Sequence, residues 1–430
     1  MASLLIQNGT VVDPKNNLNK VCDVLIVDGV IKKVAAGITD TADKTIDATG
    51  LTVTPGLIDL QVHFREPGRE DRETILTGSR AALKGGVTTA VAMPNTTPEA
   101  DNQAVIEFIL ERAKEVGLIN ILPTGATTKG QDGSTLSEMK ELKNSGAVAV
   151  TDDGFDVQNP ALLRRAMEYA KTHDMLVMSH CETDDLTDGG VMHEGWVSTQ
   201  LGLPGTPEIS EDLAVEKNIL LAQKTGARLH LLHNSTKGAV EAIRRAKATG
   251  AKNLTAEVSV QHFALTDEEC LTYNTDAKMY PPLRSQDHLD AIIAAIKDGT
   301  IDALTTDHAP HIEPDKLKAF VDAAMGSVGL ETSFAVAYTY LVKPGHVSLS
   351  EVLALMTYKP AQIVRFDRGH LTPGAVADLT LFDLEKKWTV DPMTLESKGK
   401  NCVFKNKQLT GKAQTVIVGG EVKMRDGEIL

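Results

Sequence analysis

The chain has 430 residues, and 44 Lys plus Arg against 58 Asp plus Glu give a formal net charge of −14. A hydrophobic share of 42% supports a large packed core, and the acidic balance argues against a broad nucleic-acid-binding face while leaving room for a small anionic substrate held by a few arginines. Cys22, Cys181, Cys270 and Cys402 are too scattered for a disulfide framework or a CxxC site. No apolar run approaches the roughly 20 residues of a membrane span, and the opening MASLLIQNGTVVDP lacks the basic region of a signal peptide, so a cytoplasmic protein is expected.

The two ends of the chain resemble each other. Near the N-terminus, Leu4–Ile6 and Thr10–Val12 flank Asn8-Gly9, and Val21–Val27 and Val30–Val34 flank Asp28-Gly29. Near the C-terminus, Ala377–Phe382 is strand-like, Val416–Val418 and Val422–Met424 flank Gly419-Gly420, and Asp426-Gly427 is a further turn. Asn-Gly and Asp-Gly between apolar alternations predict hairpins, because both residues tolerate positive φ. Two half-buried groups of strands must cover each other, which predicts one small β-domain composed of residues 1–54 and 368–430.

Between the ends, apolar strands alternate with amphipathic stretches. Strands are expected near Leu57–His63, Thr88–Met93, Asn120–Pro123, Ala147–Thr151, Met175–His180, Arg228–His233, Leu254–Ser259 and Ile301–Thr306. The helical stretches are Thr74–Leu83, Ala104–Val116, Leu136–Asn144, Ala161–Thr172, Ile209–Thr225, Gly238–Thr249 and Ser285–Lys297, followed by Glu331–Leu341 and Leu349–Met356. Strict alternation means parallel strands, and eight units predict an α/β fold of the closed (β/α)8 TIM-barrel type over residues 55–367. An open doubly wound sheet is the alternative, and no GxGxxG or P-loop follows any strand to support it.

Catalytic groups of such barrels sit at the C-terminal strand ends. Here those ends read Gln61-Val62-His63-Phe64-Arg65, Asp152-Asp153-Gly154, His180-Cys181-Glu182, His230-Leu231-Leu232-His233 and Asp307-His308-Ala309-Pro310-His311. One such His or Asp is usually a satisfied buried side chain; five strands ending this way converge on one wall of metal-ligand types. Imidazole and carboxylate donors suit Zn²⁺, which lowers the pKa of bound water towards about 7. Alternation along strand 6 turns His230 away from His233, and Cys181 and His308 away from the barrel axis. His262 is open between packing and support of the site. His173, His193, His288, His346 and His370 are expected at the surface, and the stretch from His311 to Gly326 has the composition of a loop able to close over a substrate.

The motifs PGLIDLQVHFREPG (Pro55–Gly68), MPNT (Met93–Thr96), TDDG (Thr151–Gly154), SHCE (Ser179–Glu182), LHNST (Leu232–Thr236), TAEVSVQH (Thr255–His262), PPLR (Pro281–Arg284), TDHAPH (Thr306–His311) and VGLET (Val328–Thr332) occur in this order. With the terminal strands, they make almost the whole chain resemble the bacterial dihydroorotases of the amidohydrolase superfamily. The resemblance implies reversible hydrolysis of (S)-dihydroorotate to N-carbamoyl-L-aspartate in pyrimidine synthesis. It also implies zinc, a homodimer, and association with aspartate transcarbamoylase in some bacteria; with Gln61 on strand 1, one zinc ion per chain is expected, with a second site available. By position, it makes His63 a ligand of the more buried metal and Asp153 the bridging carboxylate, with Asp152 its neighbouring rival. His180 and His233 become ligands of the second metal. Asp307 becomes the metal-linked general base and acid, and Arg65, Asn95 and His311 the substrate contacts.

Three positions depart from the family pattern. Gln61 stands where a second strand-1 His is usual, Tyr280 where Asn precedes PPLR, and Val260-Gln261-His262 where Pro-His-His is usual. An amide oxygen is a far weaker Zn²⁺ ligand than imidazole, so Gln61 is expected to weaken or lose the first site. Two other readings of the chain are a non-catalytic scaffold for aspartate transcarbamoylase and a cyclic-amide hydrolase of the hydantoinase or allantoinase type. The latter relatives generally use a carbamylated Lys that Thr151-Asp152-Asp153 does not offer.

Overall fold

The computed structural model describes residues 3–430. Eight parallel strands form the barrel: β1 (Leu57–Val62), β2 (Val87–Ala92), β3 (Asn120–Pro123), β4 (Ala149–Thr151), β5 (Leu176–Ser179), β6 (Arg228–Leu231), β7 (Leu254–Ser259) and β8 (Ala303–Thr305). β1, β2 and β3 pair in parallel, with register shifts along β1 at Leu57/Ile58 and Asp59/Val62, and β4 through β8 also pair in parallel, with the short Gly125–Ala126 strand added beside β4. The ring closes where His63 N–H donates to His308 O at 2.9 Å and Val148 N–H to Pro123 O at 3.0 Å. Strands buried on both faces need apolar residues on both, and β1 and β2 are buried throughout.

The crossover helices begin at side-chain caps. Thr74 accepts from Thr77 N–H before Ile75–Gly85, and Asn102 accepts from Ala104 and Val105 N–H before Gln103–Val116. The stretch expected as a helix over Leu136–Asn144 is helical only over Met139–Asn144, and the one over Glu331–Leu341 is an α-helix at Ser333–Ala337 that widens into a π-turn at Tyr338–Val342. Among the described residues, no helix is long and apolar enough to cross a membrane.

The termini do meet. Leu379–Thr389 pairs antiparallel with Thr52–Pro55, which pairs parallel with Ser3–Asp13, and this joins both ends into a nine-stranded sheet. Ile6, Val24, Ile26, Val53, Leu381 and Ile417 pack in its core. The turns at Asp28-Gly29, Gly419-Gly420 and Asp426-Gly427 connect neighbouring strands as expected. Asn8-Gly9 does not: Ser3–Asp13 is one continuous strand, and the register shifts between Ile6 and Gly9. The positive φ of Asn8, 66°, serves a β-bulge rather than a hairpin. A side chain at Gly9 would press on Val53, its Cβ 2.5 Å from Val53 Cγ2. The hairpin turns instead at Pro14–Asn16, with Asn17 at φ 50°.

Candidate active site

The strand ends converge on Asp153, which is buried after β4. Its Oδ1 lies 3.3 Å from His233 Nε2 and 3.5 Å from His180 Nδ1, and its Oδ2 lies 3.4 Å from His63 Nε2. His63 Nε2 is also 3.2 Å from Asp307 Oδ1. Two groups of ligand-type atoms, Asp153–His180–His233 and His63–Asp153–Asp307, each lie within 4.8 Å, and they share the one carboxylate. Asp152 is elsewhere: it accepts from Thr128 N–H at 3.0 Å and from the Thr128 hydroxyl at 2.6 Å, and burial pushes its carboxyl up to about 6.

Neighbouring hydrogen bonds set the tautomers. Asn95 Oδ1 accepts from His63 Nδ1 at 2.9 Å, so the lone pair of His63 is on Nε2, facing the two carboxylates. Asn95, a sequence-predicted substrate contact, therefore also orients this ring. His180 Nε2 faces Glu182 Oε2 at 3.6 Å, while its Nδ1 lies 2.9 Å from His233 Nε2. Burial alone would lower the His180 pKa, but Asp153 and Glu182 hold it up to about 10. Burial would raise the Asp153 carboxyl, yet hydrogen bonds from His180 and His233 and the charge of His63 hold it well below the usual range. A bridging carboxylate, three imidazoles with ring nitrogens turned inward, and Asp307 opposite them form a donor set that fits divalent metal.

Two of the three departures from the motif pattern, Gln61 and Tyr280, have visible consequences. Gln61 is fully buried and its Nε2 donates to Asp153 Oδ1 at 3.0 Å, while its Oε1 has no hydrogen-bond partner. The amide thus occupies the side of the site where an imidazole would point its lone pair, with the donor facing Asp153. Tyr280 stacks on His180, ring centroids 5.2 Å apart and planes 26° apart.

A cavity of about 240 Å³ opens above this cluster. Arg65 lines it, at φ 62°, and makes no ion pair among the described residues. Glu66, its nearest sequence candidate, accepts from Arg112 at 3.0 Å and Ile75 N–H at 2.7 Å, and Glu70 accepts from Gly68 N–H at 2.8 Å. Burial and nearby Arg72 lower the Arg65 pKa to about 10. His311 donates from Nε2 to Met325 O at 2.7 Å, which leaves Nδ1 as a buried acceptor without a partner. Burial and the charges of Arg65, Arg72 and Lys316 push its pKa down to about 2, so the ring is neutral. His233 and Asp307 also hold positive φ, 29° and 48°, a conformation that ordinary residues keep only where surroundings enforce it.

The stretch after His311 is tied down rather than free. Buried Lys316 donates to Ala324 O at 2.8 Å and Gly326 O at 2.9 Å, and Arg72 pairs with Asp315 at 2.9 Å. Neither Lys316 nor Glu182 stands out in sequence; the only signal for Glu182 is its place two residues after His180. Three histidines expected at the surface are buried: His193, His288 and His370. His193, Glu208 and His288 even bring ligand-type atoms within 4.8 Å. Their chemistry does not fit a metal, because His193 Nδ1 faces the Arg284 guanidinium at 3.3 Å and His288 Nδ1 accepts from Lys237 N–H at 2.9 Å. Each ring then carries its proton on Nε2. His230 is a core residue bonded to Thr255 and Glu257, and His262 links Ser259 to Pro281 O beside the site. His308 accepts from Gly329 N–H and Cys181 lies buried against Ser179 and Asn218, so both are structural.

Residues 50–239 match the family described as dihydro-orotase-like. The chain is 46% identical over 427 residues to the dihydroorotase of Ruminiclostridium cellulolyticum, covering 99% of this chain and 100% of that protein. It is 48% identical to the dihydroorotases of Pelotomaculum thermopropionicum and Geobacter metallireducens, in each case covering 98% of this chain and 99% of the other. Among solved structures, L-hydantoinase from Arthrobacter aurescens superposes with a TM-score of 0.90 at 25% identity, covering 100% of this chain and 98% of that one. Dihydropyrimidinase from Brevibacillus agri shares the fold, with a TM-score of 0.87 at 22% identity over 100% of this chain and 96% of that one.

Proposed function

The chain belongs to the dihydroorotase family, and from that premise we propose that Asp153, His63, His180, His233 and Asp307 carry a metal-assisted, reversible ring opening of (S)-dihydroorotate. The observation that carries the reading is the single carboxylate of Asp153 set between the His180–His233 pair and His63, with Asp307 across from it and an unpaired Arg65 beside it. Zn²⁺ is the proposed metal, since neutral imidazole and carboxylate donors suit it. Asp153, His180 and His233 would hold one ion, and His63 with Asp153 and Asp307 would offer a second site. A metal there supplies Lewis acidity, which makes water a nucleophile at neutral pH and polarises the scissile carbonyl.

The remaining work falls to side chains. Arg65 binds the substrate carboxylate through its planar fork, joined by Asn95. His311, neutral and with Nδ1 unoccupied, accepts from a ring N–H, which excludes substrates that lack a donor there. These contacts hold the reacting carbonyl beside Asp307. Asp307 takes a proton from the attacking water; the water oxygen bonds to the carbonyl carbon, the carbon–nitrogen bond breaks, and Asp307 returns the proton to the leaving ring nitrogen. The single product carries a free ureido NH2 and a new carboxyl group, which ionises by releasing the second proton of the water to solvent.

The Asp153–His180–His233 group is complete and Asp307 stands beside it, which disfavours a scaffold without catalysis. To the same proposal belong a homodimer and association with aspartate transcarbamoylase, which rest on the family resemblance alone, and a cytoplasmic location, which rests on the composition of the chain. The test is an assay of the metal-loaded protein in both directions, with hydantoin, dihydrouracil and allantoin as competitors. Preferred turnover of dihydroorotate and N-carbamoyl-L-aspartate is expected; turnover of hydantoin or allantoin in their place would overturn the assignment.

A further inference from the structure

On the barrel face opposite the candidate active site, the N-terminal ends of β5 and β6 border a cavity of about 520 Å³, twice the size of the one above Asp153. A neighbouring cavity of about 470 Å³ shares Gly226, Lys252 and Asn253 with it. Five cations line the larger one: Lys171, Arg228, Lys252, Lys359 and Arg365. In a chain with a net charge of −14, an unselected hollow would be expected to be acidic.

The two carboxylates in its wall are already engaged. Asp174 pairs with Arg365, and Asp302 Oδ2 accepts from Lys247 at 2.5 Å and from Ala256 N–H at 2.8 Å. Lys171 spends a donor on Thr225 O at 2.7 Å, and Arg228 donates to Ile363 O; both partners are neutral carbonyls. Lys252 and Lys359 form no ion pair among the described residues. Positive charge is therefore gathered here without an equal count of free anions. Burial and the charge of Arg365 both lower the Arg228 pKa.

We propose that this basic cavity binds a phosphorylated small molecule of nucleotide size. Several convergent cations, Lys252 and Lys359 unpaired among them, match the many oxygens and the charge of about −2 of a phosphate group better than a single carboxylate. The volume lies within the range of small-molecule pockets, roughly 300–1,000 Å³. The site lies away from the chemistry but on the same strands: β5 begins at Leu176 beside this cavity and leads to His180 just past its end, and β6 begins at Arg228 and leads to His233. An occupant would brace the N-terminal ends of the two strands that lead to the His180–His233 pair.

Calorimetric titration of the metal-loaded protein with a ribonucleoside 5′-monophosphate, with inorganic phosphate and with chloride at matched ionic strength tests this. The parent protein should bind the nucleotide saturably, one per chain. The double variant Lys252→Ala/Lys359→Ala should bind about 100-fold more weakly, each lysine supplying about tenfold, with turnover of dihydroorotate unchanged. Phosphate binding as tightly as the nucleotide, and lost in the same variant, also supports the site and assigns recognition to the phosphate group alone. Absence of saturable binding at millimolar concentrations, or equal affinity in parent and variant, would overturn the proposal. The second result would place the anion at Arg65 or elsewhere.

Discussion

Replacing Gln61 by His reads out what this side chain does to the metal centre. Gln61 Nε2 donates to Asp153 Oδ1 at 3.0 Å, and its buried Oε1 is left without a partner. The hydrogen bond favours Asp153 as a bare carboxylate turned towards an N–H donor, and an orphaned buried carbonyl costs about 1–3 kcal/mol. Imidazole, of similar size, would remove both features and add a nitrogen donor next to His63 Nε2, which already faces Asp153 Oδ2 at 3.4 Å and Asp307 Oδ1 at 3.2 Å. The Asp153–His180–His233 set needs no change, since three protein ligands and a water complete a catalytic zinc site. The parent chain is thus expected to retain about one Zn²⁺ after dialysis against a mild chelator, and Gln61→His to retain about two. The site at His63 should tighten by at least about 10–100-fold, the scale of losing even an outer-shell partner. Metal analysis of both proteins decides it. Two tightly held ions in the parent, or metal retained after His180→Ala but not after His63→Ala, would refute the reasoning.

Asp307→Ala should lower kcat by about 10²–10⁴ while the metal at Asp153–His180–His233 stays bound; near-parental kcat would remove Asp307 from proton transfer. Arg65→Ala should raise KM for dihydroorotate by roughly 10–100-fold, as expected for loss of a charge-assisted contact of about 1.5–3 kcal/mol, with metal content unchanged; an unaltered KM would make Arg65 a structural residue only. Lys316→Met should alter stability against pH. Burial lowers the Lys316 pKa from 10.5 to about 8, so between about 8 and 10.5 the unfolded chain holds a proton that the folded chain has released. Stability from this group therefore rises with pH across that window, by roughly 3 kcal/mol in total. Urea unfolding at either end of the window should show that rise in the parent and its loss in the variant; identical slopes would show that Lys316 keeps its proton in the folded protein.

The barrel was legible because its signals are local: short apolar runs alternating with amphipathic stretches, and ligand-type residues at successive strand ends. The joining of the two termini followed from strands that could not bury their faces separately. Gln61 and His63 fell on one side because alternation along a strand leaves no other choice. Tertiary structure decided whatever depended on a partner distant in sequence. Asn8 could have made a turn or a bulge, and the strand at Leu18–Val27 selected the bulge. Asp153 was separated from Asp152 only when Thr128 took the latter. His193 and His288 became buried because Arg284 and Lys237 N–H satisfy their rings. Asn95 serves His63, Tyr280 lies on His180, and Arg65 stays unpaired because Arg112 holds Glu66. A side chain's type states what it can bond; the fold, which sets the distances between residues far apart in the chain, states what it does bond.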